Sequence, residues 1–450
     1  MKRFKQIFNH QPPARLIALG FASTILLGTL LLLMPFSIRS GITVQPVDAL
    51  FSATSAVCVT GLLTVDTADT FTPVGQAVMA VLIQIGGLGI TSIGMGLALA
   101  AGRRISLRER TLIREAMNVG SLEGMVRLVR AIIKLTLAFE LAGVIPIFAV
   151  FAQDYPPLKA LGLSVFHSIS SFNNAGIDIL GGGRSLTPYR DNVLLNLSTC
   201  FLIISGGIGF LVMLDVVKCR FRFRKFTLHS KVVVTTTAFL LAAGTLLLKF
   251  TDPLSWLTAF FLSVSARTAG FATLDLGKLS NAGLFTILIL MFIGASPGST
   301  GGGIKISRII IMCKTAKQDL MRVLHPHAVT TVRFEGKPLD DKTVFGVRTY
   351  MNLYLIIFVL STMVVAINQF DLVTTFTAVA SCLNNIGPGL ELVGPMVSFA
   401  DFSPLIKLVL SFDMLVGRLE IFPMLVLFAP STWLRSKGHL DRRLRARNLF

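Results

Sequence analysis

The chain has 450 residues, of which 53% are hydrophobic and 14% charged, with a mean hydropathy of +0.73. Apolar segments recur from residue 16 to residue 434, which excludes an ordinary soluble domain, a disordered chain and a small disulfide scaffold. The formal net charge is +19, yet 33 of the 42 Lys and Arg lie in 1–15, 102–134, 218–231, 305–348 and 435–450, between apolar runs. That distribution is the positive-inside pattern: it predicts a multi-pass protein of the cytoplasmic (inner) membrane with both termini cytoplasmic, and argues against nucleic-acid binding.

Taken in chain order, the first run is Leu16 to Met34, uncharged over 19 residues. Lys2, Arg3 and Lys5 precede it as in a signal peptide, but it is long enough to span and ends at Pro35 without a small-x-small cleavage site. Further spans are expected at 74–101, 129–151, 192–217, 232–250, 281–312, 349–367 and 404–434. Lys134 and Glu140, in the third span, form an interior pair or snorkel. Between successive pairs of spans lie shorter apolar stretches, Val47 to Ala56, Leu158 to Phe172, Leu254 to Ala266 and Leu372 to Leu383, too short to cross and read as re-entrant. The stretch 325–342, with TVRFEG and KPLDD, alternates enough for a small cytoplasmic hairpin. With the basic loop 103–130 it offers a docking surface, or equally a contact for lipid headgroups.

The expected fold is therefore an all-α polytopic membrane protein of eight transmembrane helices, in four repeats of span, pore helix and span around a central pore. Its parts are a cytoplasmic N-terminus (1–15), repeat 1 (16–101), repeat 2 with a basic loop (102–217), repeat 3 with a broken second helix (218–324), a hairpin or linker (325–346), repeat 4 (347–434) and a basic tail (435–450). Each short stretch runs into a glycine: AVCVTG (56–61), SFNNAG (171–176), ARTAG (266–270) and CLNNIG (382–387). Ten residues before those glycines stand Phe51, Phe166, Phe260 and Thr377, and a second glycine-bearing segment follows each: IGGLG, SGGIG, IGASPGSTGGG and LVGR.

Non-helical backbone at membrane depth is tolerated only inside protein or along a watery path, so four such stretches imply a pore. Carbonyls turned to its axis can replace the hydration shell of a monovalent cation, and glycine allows the bend. The candidate filter is Val57, Cys58, Val59, Thr60 and Gly61; Asn173, Asn174, Ala175 and Gly176; Arg267, Thr268, Ala269 and Gly270; and Asn384, Asn385, Ile386 and Gly387, with K+ at its carbonyls. Arg267 is itself a cation and is expected to pair with an acid or with backbone carbonyls behind the filter. Asp66, Asp178, Asp275 and Glu391 follow the glycines and are candidates for a negative outer mouth.

One proline and five glycines within residues 294–303 break the sixth span. Gly294, Ser296, Pro297, Gly298, Gly301, Gly302 and Gly303 are a candidate gate, and Arg418, in the corresponding position of the last span, is expected to hold that loop's carbonyls or act as an electrostatic barrier to cations, or else to pair with Asp413 or Glu420. A phosphate-binding loop is disfavoured because Ile304 separates Gly303 from Lys305. Cys58, Cys200, Cys219, Cys313 and Cys382 lack metal-ligand spacing and read as buried thiols. The histidines, His167 included, form no catalytic cluster, so no enzyme is expected.

These motifs together resemble the Ktr/Trk/HKT superfamily of potassium transporters over residues 16 to about 435: SAVCVTGL, SFNNAGI, SARTAGF, STGGGIK, NNIGPGL and LVGRLEIF. The first repeats resemble the Ktr branch and the fourth resembles Trk. The resemblance implies potassium uptake through a filter formed by Gly61, Gly176, Gly270 and Gly387, a gate at 294–303, and Arg418 against it. It implies a homodimer on a cytosolic ring of nucleotide-binding regulatory (RCK-type) subunits, with the regulatory nucleotide on the partner and no cofactor held tightly by this chain. Sodium dependence, and hence symport, stays open. A secondary transporter of a small anionic metabolite is the competing reading, disfavoured by the fourfold organisation.

Overall fold

The computed structural model describes residues 13–100, 110–112, 125–325, 331–334, 337–387, 389–395, 397–421 and 424. The basic tail and most of the basic loop 103–130 lie outside them. The helices, numbered in chain order, are α1 (Pro13–Leu33), α2 (Pro46–Cys58), α3 (Pro73–Leu88), α4 (Ile90–Ala100), α5 (Met125–Asp154), α6 (Pro157–Phe172), α7 (Val193–Gly207) and α8 (Phe210–Lys218). They continue with α9 (Leu228–Thr251), α10 (Trp256–Ser265), α11 (Asn281–Phe292), α12 (Ile306–Leu324), α13 (Asp341–Val365), α14 (Leu372–Asn384) and α15 (Pro404–Arg418). The expected hairpin is present as two-residue antiparallel strands, β1 (Arg333–Phe334) and β2 (Lys337–Pro338).

Among the described residues, α1, α5, α9 and α13 are long and apolar enough to cross a membrane unaided. The other expected spans are interrupted. α3 and α4 meet at 99°, and α7 and α8 at 102°, so the runs 74–101 and 192–217 are bent rather than straight. Gly89 and Gly209 stand at the two bends with φ of 80° and 93°, a region that β-carbon sterics close to most residues. The sixth span is broken between α11 and α12, as its glycines predict, and α15 covers only 15 residues.

The helices α2, α6, α10 and α14 fall on the four stretches predicted to be too short to cross. Their starts are set by local chemistry. Proline occupies the first turn of α2 and α6, where its missing N–H costs nothing, while Ser255 and Asp371 cap α10 and α14 by accepting from the Thr258 and Thr374 amides. Each packs between its flanking long helices: α2 against α1 and α3, α6 against α5 and α7, α10 against α9, and α14 against α13 and α15. Each then delivers its C-terminal, partially negative end to the loop that follows, an orientation that favours a cation there. The fourth segment also closes onto the first. α15 packs on α2, Lys407 pairs with Asp48 at 2.8 Å, and the Phe399 amide donates to the Leu63 carbonyl at 3.0 Å.

Of the five thiols, Cys58, Cys200 and Cys382 are buried, Cys219 is half-buried and Cys313 is exposed. The reading of all five as buried thiols is corrected for the last two, which border basic segments.

Candidate ion pore and its gate

The four glycine loops meet edge to edge in chain order. A methyl group placed on Gly61 would lie 2.5 Å from the Ala175 carbonyl oxygen, one on Gly176 would strike the Ala269 carbonyl, and one on Gly387 would strike the Gly270 backbone. The ring closes between the fourth and first loops, where Asn385 Nδ2 donates to Thr60 Oγ1 at 3.1 Å. Gly61, Gly176 and Gly270 have φ of 83°, 68° and 82°. Gly387 lacks a positive φ, so at that position glycine answers a lack of space rather than a backbone requirement.

Two residues before three of the glycines, Val59, Asn174 and Asn385 are themselves left-handed, with φ of 59°, 58° and 48°. The third loop differs because it is one residue shorter. A serine stands six residues ahead of Gly61, Gly176 and Gly387 but five ahead of Gly270: Ser55, Ser170, Ser381 and Ser265. All four are buried, and each hydroxyl bonds the backbone at or beside its glycine. Ser55 Oγ accepts from the Leu62 amide at 2.8 Å, Ser170 Oγ donates to the Ile177 carbonyl at 2.6 Å, and Ser265 Oγ donates to the Phe271 carbonyl at 2.5 Å. Ser381 Oγ bonds the Ile386 and Gly387 carbonyls. The same one-residue difference moves the phenylalanine register in the third loop: Phe261 is fully buried there, while Phe260, the predicted equivalent of Phe51 and Phe166, is only partly covered.

The second set of glycines lets the following helix pass close behind each loop. In three loops the residue four before the loop glycine, Val57, Phe172 or Leu383, presents its carbonyl to a bare glycine Cα, at Gly86, Gly206 and Gly417 respectively, where any β-carbon would collide. In the third loop the broken segment fills this place, with Gly301 against Thr268.

The segment 293–305 lies under the four loops and is bonded throughout. Its ends form a parallel bridge between Ile293 and Ile304, the Gly303 amide donates to the Asn384 carbonyl at 2.5 Å, and Lys305 Nζ donates to the Gly301 carbonyl at 2.8 Å. Bending α7 into α8 leaves backbone groups without helical partners, and this segment supplies them: the Ser296 amide donates to the Gly207 carbonyl, the Thr300 amide to the Gly206 carbonyl, and Phe210 donates its amide to the Gly298 carbonyl. The bend from α3 to α4 is served instead by Arg418. Its guanidinium donates to the Gly86 and Gly87 carbonyls at 2.5 and 3.2 Å, and to the Thr300 carbonyl at 2.7 Å. Of the expected alternatives this is the carbonyl-holding one, since Glu420 pairs with Arg308 and Asp413 accepts from Ser361.

Arg267 is buried, and its Nη2 donates to the Gly294 carbonyl at 3.4 Å, which ties it to the broken segment rather than to the pore axis. Glu140 does not pair with Lys134. It accepts from Gln84 Nε2 and Asn173 Nδ2 at 3.2 and 3.1 Å, and Lys134 is exposed. His167 bonds Thr199 Oγ1 at 2.9 Å and packs on Phe271 as a core residue.

Above the loops is a cavity of about 340 Å3 lined by Gly61, Gly176, Gly270, Asp66, Asp69 and Asp178, among others. The expected ring of four acids is corrected here. Asp275 caps a turn through the Gly277 amide and Glu391 is exposed, and neither lines the cavity, whereas Asp69, which sequence reasoning passed over, does. Asp66 and Asp69 also accept from the Gly183 and Gly182 amides at 2.9 and 3.2 Å. Burial pushes the Asp178 carboxyl up to about 6, against the lowering effect of the Leu180 amide.

Two matches to the TrkH family model, "Cation transport protein", cover residues 19–255 and 227–437. The chain is 34% identical over 422 residues to the potassium/sodium uptake protein NtpJ of Enterococcus hirae, covering 87% of this chain and 90% of that protein. It is 33% identical to the Ktr system potassium uptake protein D of Bacillus subtilis, with 94% and 95% covered. The crystal structure of the potassium transporter TrkH from Vibrio parahaemolyticus superposes with a TM-score of 0.74 at 26% identity, over 92% of this chain and 85% of that one. With the glycine loops, the broken helix and Arg418 arranged as above, the chain belongs to the TrkH cation transport family of the Ktr/Trk superfamily, multi-pass membrane potassium transporters and not enzymes.

Proposed function

We propose that this chain admits potassium into the cell through a filter made by its four glycine loops, with residues 294–303 and Arg418 as the gate beneath. The observation that carries the reading is the closed ring of loops at Gly61, Gly176, Gly270 and Gly387 with a hydrogen-bonded segment under it. Carbonyls on that axis substitute for water around K+, and the C-terminal ends of α2, α6, α10 and α14 add negative potential. The loop and the Arg418 cation then obstruct the path, and conduction requires the loop to leave the backbone groups of the α7–α8 bend and the Arg418 guanidinium. Four units, 16–101, 102–217, 218–324 and 347–434, and eight crossings, counting bent and broken helices as spans, follow from this reading. The basic loops and both termini face the cytoplasm of a cytoplasmic membrane.

The related proteins carry the names of a Ktr system potassium uptake protein and of a potassium/sodium uptake protein. From the motif resemblance we extend to this chain a homodimer and a cytosolic nucleotide-binding regulatory ring, and from the second name sodium as a further candidate ion. The test is expression in potassium-uptake-deficient bacterial cells, with and without candidate cytosolic subunits. Potassium uptake poorly inhibited by sodium is expected. A folded membrane protein that moves neither cation in any combination would overturn the reading and reopen transport of a small anion.

A further inference from the structure

Thr300 is 0% exposed, and each of its polar atoms bonds a different part of the molecule. Its amide donates to the Gly206 carbonyl at the bend of α7 at 3.3 Å, and its carbonyl accepts from Arg418 Nη1 at 2.7 Å. The hydroxyl turns upward to the second glycine loop: Oγ1 donates to the Phe172 carbonyl at 3.1 Å and accepts from Asn174 Nδ2 at 2.7 Å. Asn174 stands two residues before Gly176 in the left-handed region, and its Oδ1 accepts from Thr268 Oγ1 of the third loop at 3.3 Å. Space for this meeting exists because Gly206 has no side chain. A methyl there would lie 2.7 Å from Thr300 Oγ1 and 2.9 Å from Asn174 Nδ2.

We propose that Thr300 is a positioning residue that couples the gate to the filter: its hydroxyl holds Asn174, and through it the second and third glycine loops, only while the gate segment is seated. The inference rests on the pore reading above and adds a consequence to it. A buried hydroxyl that merely filled a slot would affect how often the loop opens. One that also fixes Asn174 must affect which ion passes, because Asn174 sets the backbone entering Gly176. Unseating the loop by any route therefore loosens the filter.

The test is tracer uptake of potassium and sodium by the purified full-length protein in liposomes, comparing the unaltered chain, Thr300→Val, Thr300→Ser and Arg418→Ala. Thr300→Val keeps the shape and removes the hydroxyl. It is expected to raise basal flux and to lower potassium-over-sodium discrimination together, each by roughly threefold to tenfold. Thr300→Ser restores the hydroxyl and is expected to return both toward the unaltered values. If Thr300→Val is not recovered folded, Thr300→Ala removes the same hydroxyl with a smaller side chain and carries the same expectation. Coupling is overturned if the hydroxyl-free variant leaves discrimination intact, whether or not flux rises, while the unaltered chain prefers potassium and Arg418→Ala raises flux. If the unaltered chain shows no potassium preference and Arg418→Ala no added flux, the pore reading fails and the coupling falls with it.

Discussion

Val59 is a β-branched residue held at φ 59°, an arrangement that costs on the order of 1 to 2 kcal/mol and persists only where its surroundings impose it. What imposes it here is the end of α2, where the Val59 and Thr60 amides donate to the Ala56 and Ser55 carbonyls at 3.2 and 2.8 Å, and beyond it the serine behind the loop holds the Leu62 amide. In the second loop the arrangement is complete, since Ser170 Oγ both donates to the Ile177 carbonyl and accepts from its amide, at 2.6 and 3.1 Å. Ser170→Ala strands two buried backbone groups at a cost of about 1–3 kcal/mol. A lowered thermal midpoint and a reduced potassium-over-sodium uptake ratio are expected, and an unchanged ratio would count against the loop as a filter wall. Gly61→Ser attacks the ring from its inner side, because the new β-carbon meets the Ala175 carbonyl. Discrimination in competitive uptake should fall by roughly tenfold, the equivalent of one displaced carbonyl contact. The glycines were legible from their context in the chain. The serines were not, though their spacing of six, six, five and six residues was present, because a serine near a helix end is ordinary and its partner is visible only in three dimensions.

At the scale of the helices, the two right-angle bends explain what lies beneath the pore. Hydropathy runs unbroken through 74–101 and 192–217, so a window read along the sequence gives straight spans there. Only 294–303 combines proline with enough glycine to announce a break. Bending exposes carbonyls, and the molecule satisfies them with Arg418 on one side and with the broken segment on the other. Arg418→Ala leaves the Gly86, Gly87 and Thr300 carbonyls without their donor, so basal flux should rise severalfold in uptake assays. Flux at or below the unaltered level would contradict a gating role. Gly206→Ala forces α7 away from the Phe172 carbonyl and from Thr300. Overpacking of this kind costs about 1–3 kcal/mol, and it should appear as a lower unfolding temperature in detergent. The shift of register in the third loop has a similar origin, since α10 reaches its glycine with one residue fewer and no left-handed step.

Across the whole molecule the face above the loops is unequal around the ring. Asp66, Asp69 and Asp178 come from the first two loops, while the fourth contributes apolar and small residues such as Val393, Gly394 and Phe399. Acids were predicted from their position after each glycine, but the connecting turns decide which of them reach the mouth, and those turns carry no periodic signal. Because the Asp178 carboxyl is pushed up to about 6, it is charged above that pH and neutral below it. Acidifying the outside from neutral through that value removes a negative charge from the vestibule, and the apparent affinity for potassium should weaken by roughly threefold. Asp178→Asn should be weaker at neutral pH and flat across the same range. That four loops in one chain enclose a potassium filter is tested by the potassium-over-sodium permeability ratio of the purified protein in liposomes, before and after Gly61→Ser. A ratio well above one that collapses toward one in the variant is expected. A ratio near one in the unaltered protein, or one untouched by the substitution, would contradict it.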